Sequence, residues 1–215
     1  MSSAAEPAPS LQRDWWLRAL AVFQGPGAVF AAMRNDSTEA AEARQEPVMA
    51  FVLLAGIAGV LSTSLAGRLL DLEGFDGVLV AVWAFLGGGF YGLAAFWIVG
   101  LLLHAAALGL GGTTSYRQAR HVFGFAAAPL ALSLFLVWPV RIAVYGGDVF
   151  RAGGGDSGLG DKLFEGLVVA AFAWVLALVL VGMRAIHGWT WPRAAAAVAV
   201  AAALPALLVL GSALA

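Results

Sequence analysis

Cysteine is absent from the 215-residue chain, which excludes disulfides, thiol catalysis and thiolate-held metal. Charge is scarce, with 12% of residues charged against 61% hydrophobic. A soluble domain cannot clothe its surface with so little charge. The net charge of −1 provides no basic field to attract nucleic acid. The opening stretch MSSAAEPAPSLQRDWW lacks a basic segment followed by an apolar core, so no cleaved signal peptide is expected. Acids are missing from the middle of every long apolar run, which disfavours proton-coupled carriers, ion pumps and intramembrane aspartyl proteases.

Long apolar runs are what the chain does have. They fall near 47–67, 78–110, 121–145, 163–186 and 194–214, each close to or above the roughly 20 residues that cross a bilayer as a helix. The expected fold is therefore all-α: a polytopic membrane protein, a five-helix transmembrane bundle behind short amphipathic N-terminal surface helices. Residues 1–46 form the cytoplasmic tail and surface helices, and 47–215 the membrane domain. Pro47 punctuates the start of the first span. The run at 78–110 is too long for one upright span and too short for two, so a tilted or bent helix is expected, with Gly87–Gly89 as its soft point.

Residues 1–10 read as a solvated tail. Between 11 and 34, Leu11, Trp15, Leu20 and Phe23 alternate with Arg13, Asp14 and Arg18 until GPG at 25–27 breaks the run. Pro26 then opens a second short helix with Val29, Phe30 and Met33 on one side. Trp15 and Trp16 favour the headgroup layer, so both helices are expected to lie on the membrane surface; packing on the protein's own membrane domain is the alternative. The stretch 35–46 is a charged linker or helix extension, and 153–161 a flexible glycine-rich loop.

Five spans put the termini on opposite sides. Arg13, Arg18, Arg34, Arg44, Arg117, Arg120, Arg184 and Arg193 then share the N-terminal side, and Arg68, Arg141, Arg151 and Lys162 the other. The turns at 111–121 and 184–193 carry no acid. By the positive-inside rule the N-terminus is cytoplasmic and the C-terminus lies opposite, in a cytoplasmic (inner) membrane. Within the first basic turn, Ser115 followed by Gln118 fits a capping box that starts a helix at Tyr116, and Gly111 and Gly112 stop the helix before it.

Candidate partner or headgroup contacts are Arg117, Arg120, His121, Arg184, His187 and Arg193. Pro129 is a candidate kink, with packing as its ordinary role, and Pro205 shares the ambiguity. Gly88 and Gly92 form a small-xxx-small pair, with Ala55, Gly59 and Ser62 along one side of the first span. His104, His121 and His187 match no metal spacing. No catalytic, cofactor or metal residue is assigned, and no cofactor is expected. Expected partners are membrane lipids, a protein at the cytoplasmic face and a second copy of the chain.

Three stretches carry a resemblance: GPGAVFAAMR (25–34), LGGTTSYRQARHVFGFAAAP (110–129) and GMRAIHGWTWPRA (182–194). With the five-span count, the chain resembles the Yip-type (Ypt-interacting protein) membrane domain family, in particular its bacterial members. The resemblance implies a five-helix bundle with a cytoplasmic N-terminus. Eukaryotic members bind prenylated small GTPases and take part in vesicle traffic. The Asp-Leu-Tyr-Gly-Pro type of motif of those members is absent here and the N-terminal region is short, so that activity is not carried over. The expected function is non-enzymatic: an integral membrane protein that organises or scaffolds partners, with transport or translocation of a small molecule or lipid as the alternative.

Overall fold

A computed structural model describes residues 9–154 and 158–214, with side chains placed at 12–154 and 158–203. The expected tail, the middle of the 153–161 loop, and Pro205 with the far end of the last span lie wholly or partly outside those limits. Among the described residues the regular structure is entirely helical. The helices are α1 (Pro9–Ala21), α2 (Pro26–Ala32), α3 (Thr38–Leu61), α4 (Gly77–Gly109), α5 (Tyr116–Ala126), α6 (Ala128–Leu136), α7 (Trp138–Tyr145), α8 (Leu159–His187) and α9 (Trp191–Leu214). Short 3-10 turns follow α3 and α7, at Ala66–Asp71 and Gly146–Phe150.

Four segments are long and apolar enough to cross a membrane: Thr38–Leu61, Gly77–Gly109, Tyr116–Phe150 and Leu159–His187. The fifth expected span falls on α9, a 24-residue helix whose apolar part among the residues with side chains placed, Trp191–Ala203, is shorter than a span. Along α4, Phe85, Leu86 and Phe90 are 68%, 63% and 83% exposed. In water such a stripe would be a liability; against lipid it is the ordinary outer surface of a span.

Several boundaries differ from the sequence expectation. α3 begins nine residues before Pro47 and runs through it. Ser37 caps it by accepting the Ala40 N–H at 3.2 Å, and the alanine-rich first turns supply propensity. Pro47 removes one internal hydrogen bond without ending the helix. The proposed division at 46/47 thus falls inside a continuous helix, and α3 ends at Leu61 rather than 67. The run expected as one long helix is one, since α4 is continuous from 77 to 109 through Gly87–Gly89. The third span instead is divided twice, before Pro129 and before Pro139, each proline starting the next helix. Pro139 was not anticipated.

The chain divides into two compact units. The first holds residues up to 49, 96–126 and those from 177 on; the second holds 50–95 and 127–176. In the first, Trp15 and Ala19 of α1, Val22 just beyond it, Val29 and Phe30 of α2, and Met33 after that helix are buried. The Trp15 ring meets Phe125 edge-on at 5.8 Å. The inner faces of these helices therefore pack on protein, not on lipid. Leu17 and Leu20, 58% and 67% exposed, form the outer face of α1.

In the second unit, glycines set the approach of α3 to α4. A Cβ on Gly88 would stand 2.4 Å from the Ile57 Cα, one on Gly92 2.3 Å from the Val52 carbonyl oxygen, and one on Gly56 2.1 Å from the Gly88 carbonyl oxygen. No side chain fits between these backbones, which is how small residues let helices associate where hydrophobic burial gives no advantage. Ala58, Leu69, Val80, Leu130, Trp138 and Phe150 complete this unit's core.

Candidate functional site

α4 ends in a Schellman turn: Gly111, at φ 76°, donates to the Leu108 carbonyl at 3.0 Å, and Gly112 to Ala107 at 2.8 Å. α5 then starts at Tyr116 through a reciprocal cap. Ser115 N–H donates to Gln118 Oε1 at 2.9 Å and Gln118 N–H to Ser115 Oγ at 3.1 Å. Helical spacing puts Arg117, Gln118 and His121 on one side and Tyr116 and Arg120 on another.

The first side meets a node centred on Asp36, in the loop between α2 and α3. Asp36 Oδ1 accepts Arg44 Nη2 at 2.6 Å and Arg117 Nε at 3.1 Å, and Oδ2 accepts the Ser115 hydroxyl at 2.6 Å. Arg117 also donates to the Asp36 backbone carbonyl. Arg44 has no solvent-exposed surface; its Nη1 donates to the Asn35 carbonyl at 2.8 Å and its Nε to His121 Nδ1 at 2.6 Å. A guanidinium can only donate, so His121 Nδ1 is an acceptor and the ring is neutral. Its Nε2–H then donates to Gln45 Oε1 at 3.0 Å. Gln118 Nε2 binds the Met33 and Arg34 carbonyls at 3.1 and 3.4 Å, beyond the C-terminus of α2.

Burial acts to raise the Asp36 carboxyl. The hydrogen bonds from Ser115 and Arg117 and the charges of Arg117 and Arg44 outweigh it, so the group titrates below its ordinary value of 3.8.

Arg120 does not join the node. Its guanidinium lies 3.9 Å from the Trp97 ring centre, 4.8 Å from Tyr116 and 5.2 Å from Phe96. Gly100 makes the room, since a Cβ there would stand 2.3 Å from Arg120 Cγ. The cation is held by aromatic faces.

The basic turn at 184–193 engages the one at 110–114. Arg193 donates to the Leu110 carbonyl, a carbonyl at the end of α4. The His187 ring donates from Nδ1 to Met183 O at 2.9 Å, and its Nε2 shares a hydrogen bond with the Thr114 hydroxyl, also at 2.9 Å. Arg184 lies over Trp191 at 4.6 Å, and Arg34 donates to the Ala185 carbonyl at 2.8 and 2.6 Å. His104 tilts against Tyr116. Among the described residues no three His, Asp or Glu side chains converge on a common point.

Of the six candidate contact residues, Arg117 and His121 thus belong to one node, His187 and Arg193 to a clamp between two turns, Arg184 to a stack on Trp191 within its own turn, and Arg120 to an aromatic cage. Gly88 and Gly92 lie at the α3–α4 crossing and Pro129 at the first break of the third span. The sequence reading missed Asp36 and Arg44. A signal existed for Arg44, which stands four residues after Ala40 and four before Val48 on the buried stripe of α3; a cation there demands a partner. Chemically the node is a clamp: both Asp36 oxygens are committed to donors, so the carboxylate ties the loop before α3 to the start of α5.

No curated protein and no solved structure matches the chain. Residues 20–214 match the Yip1 domain. That match runs from within α1 to the end of α9, and together with the apolar spans it makes the chain a multi-pass membrane protein of the Yip1 domain family.

Proposed function

We propose that the protein is a non-enzymatic organiser of partners at the cytoplasmic face of the inner membrane, with its N-terminus cytoplasmic and its C-terminus opposite. The observation that carries this reading is the double-faced α1. Its inner face is buried through Trp15 and Ala19, with Val22 buried just past its end, while Leu17 and Leu20 stay exposed beside the exposed Arg13 and Arg18. An apolar strip flanked by cations on a rigidly held helix fits an amphipathic or acidic protein surface. Trp16 Nε1 donates to Glu46 Oε2 at 3.4 Å and Gln12 also reaches Glu46, which fixes the helix while its outer face stays open. Arg117 and Arg120 are half-buried, whereas Arg13, Arg18, Arg184 and Arg193 are exposed and supply the accessible charge. A second copy of the chain is one partner that this surface admits.

A photo-cross-linking residue at Leu17 or Leu20, activated in native membranes and read by mass spectrometry, tests the reading. A stoichiometric protein adduct that disappears with Arg13→Gln and Arg18→Gln is expected. Adducts to lipid alone would refute it. They would favour translocation instead, for which the twice-broken third span is the supporting feature and liposome flux the assay.

A further inference from the structure

Two cavities in the unit formed by 50–95 and 127–176 share a wall. The first, of about 410 Å³, is polar and lined in part by Ser64, Arg68, Arg141, Arg151, Asp161 and Glu165. The second, of about 590 Å³, is apolar, with Val80, Ala84, Phe85, Ile142 and Phe150 in its walls. Leu61, the last residue of α3, lines both, and the consecutive Val149 and Phe150 divide between them. A polar chamber and an apolar slot therefore adjoin where a span ends, the depth at which hydrocarbon gives way to headgroups.

The charges of the polar chamber do not cancel. Arg141 and Asp161 neutralise each other at 2.6 Å. Arg68 has no ion-pair partner among the described residues, and Arg151 approaches Asp148 only at 3.9 Å, with both side chains more than half exposed. Against Arg68 and Arg151 the lining itself sets Glu165, with Asp148 outside it at 3.9 Å from Arg151. Two buried donors on residues lining it, Trp138 Nε1 and Arg141 Nε, also lack an acceptor. Both groups can only donate, so each is a buried donor left unsatisfied on a residue beside the chamber.

We propose that the paired cavities bind an anionic amphiphile, its phosphate or carboxylate oxygens among Arg68, Arg141 and Arg151 and an acyl chain in the apolar slot. Arginine suits such an oxyanion through its planar set of donors. A soluble phosphate would use the chamber and leave the slot unused, whereas a lipid fills both. This inference is independent of the partner-organising reading, because it rests on other residues in the other unit.

The test is native mass spectrometry of the full chain, purified in detergent and titrated with phosphatidylglycerol or phosphatidylcholine. Arg68→Gln and Arg151→Gln alter exposed side chains, and Ala81→Phe, at a position in the wall of the slot, fills it; unchanged melting temperatures check folding. Phosphatidylglycerol is expected to bind in preference, each arginine replacement weakening it about fivefold. Ala81→Phe is expected to weaken it as well, and millimolar inorganic phosphate not to displace it. Equal binding of the two lipids, or phosphatidylglycerol binding untouched by the replacements, would overturn the proposal. So would displacement by inorganic phosphate with Ala81→Phe silent, which would identify a soluble oxyanion instead.

Discussion

In the unit formed by residues up to 49, 96–126 and 177 onward, arginines grip a carboxylate and the carbonyls of loops and helix ends. In the unit formed by 50–95 and 127–176, two helices meet through glycine backbones that leave no room for a methyl group. Between helices in lipid, apolar contact is not rewarded over lipid contact, so close packing and polar pairing carry the association. Polar clamps dominate the first unit and glycine contact the second, where the Arg141–Asp161 pair at 2.6 Å is also found. Polar clamps suit non-helical segments, whose free backbone groups need partners. Glycine contact suits regular helices, whose backbones are already satisfied.

The contrast is broken most severely by Asp36→Ala, which leaves the fully buried Arg44 guanidinium without its carboxylate. A loss of about 3–5 kcal/mol is expected, read as a drop in melting temperature of the detergent-solubilised protein. Arg44→Met should cost less, because it removes the buried charge instead of stranding it. In the other unit, Gly88→Ala drives a methyl group against the Ile57 backbone, at about 1–3 kcal/mol, and should leave photo-cross-linking from Leu17 and Leu20 unchanged. Ser115→Ala removes the α5 cap and one Asp36 hydrogen bond, an effect of about 1–2 kcal/mol. Hydrogen exchange should locate that loss at the start of α5.

Acid should sharpen the comparison last and least. The folded Asp36 titrates below its ordinary 3.8, so its contribution is complete above that pH. It fades as pH falls below 3.8 through the depressed value. Melting temperature against pH should show this acid loss in the wild type and less of it in Asp36→Asn.

What was legible in the sequence was local. The Ser115–Gln118 cap, the proline start of α2, the glycine stop after α4 and the small-residue pair Gly88–Gly92 each depend on neighbours within one or two turns. Pro47 misled, because an isolated proline is carried by strong helix on both sides. The Arg44–His121 contact joins residues 77 positions apart, and no local pattern pairs them. The same holds for Asp36, which reads as a loop acid until the fold brings Ser115 and Arg117 to it. The emptiness of the 111–121 turn in acids was itself the missing clue, since its cations draw their counter-charge from another element.

The most direct measurement is a double-mutant cycle on Asp36→Asn and Arg44→Met, followed by thermal unfolding of the four proteins. If Asp36 and Arg44 act as one clamp, the double replacement should cost less than the sum of the single ones by about 2 kcal/mol. Additivity within about 0.5 kcal/mol would contradict it, and the first unit would then owe its hold to packing, as the second does.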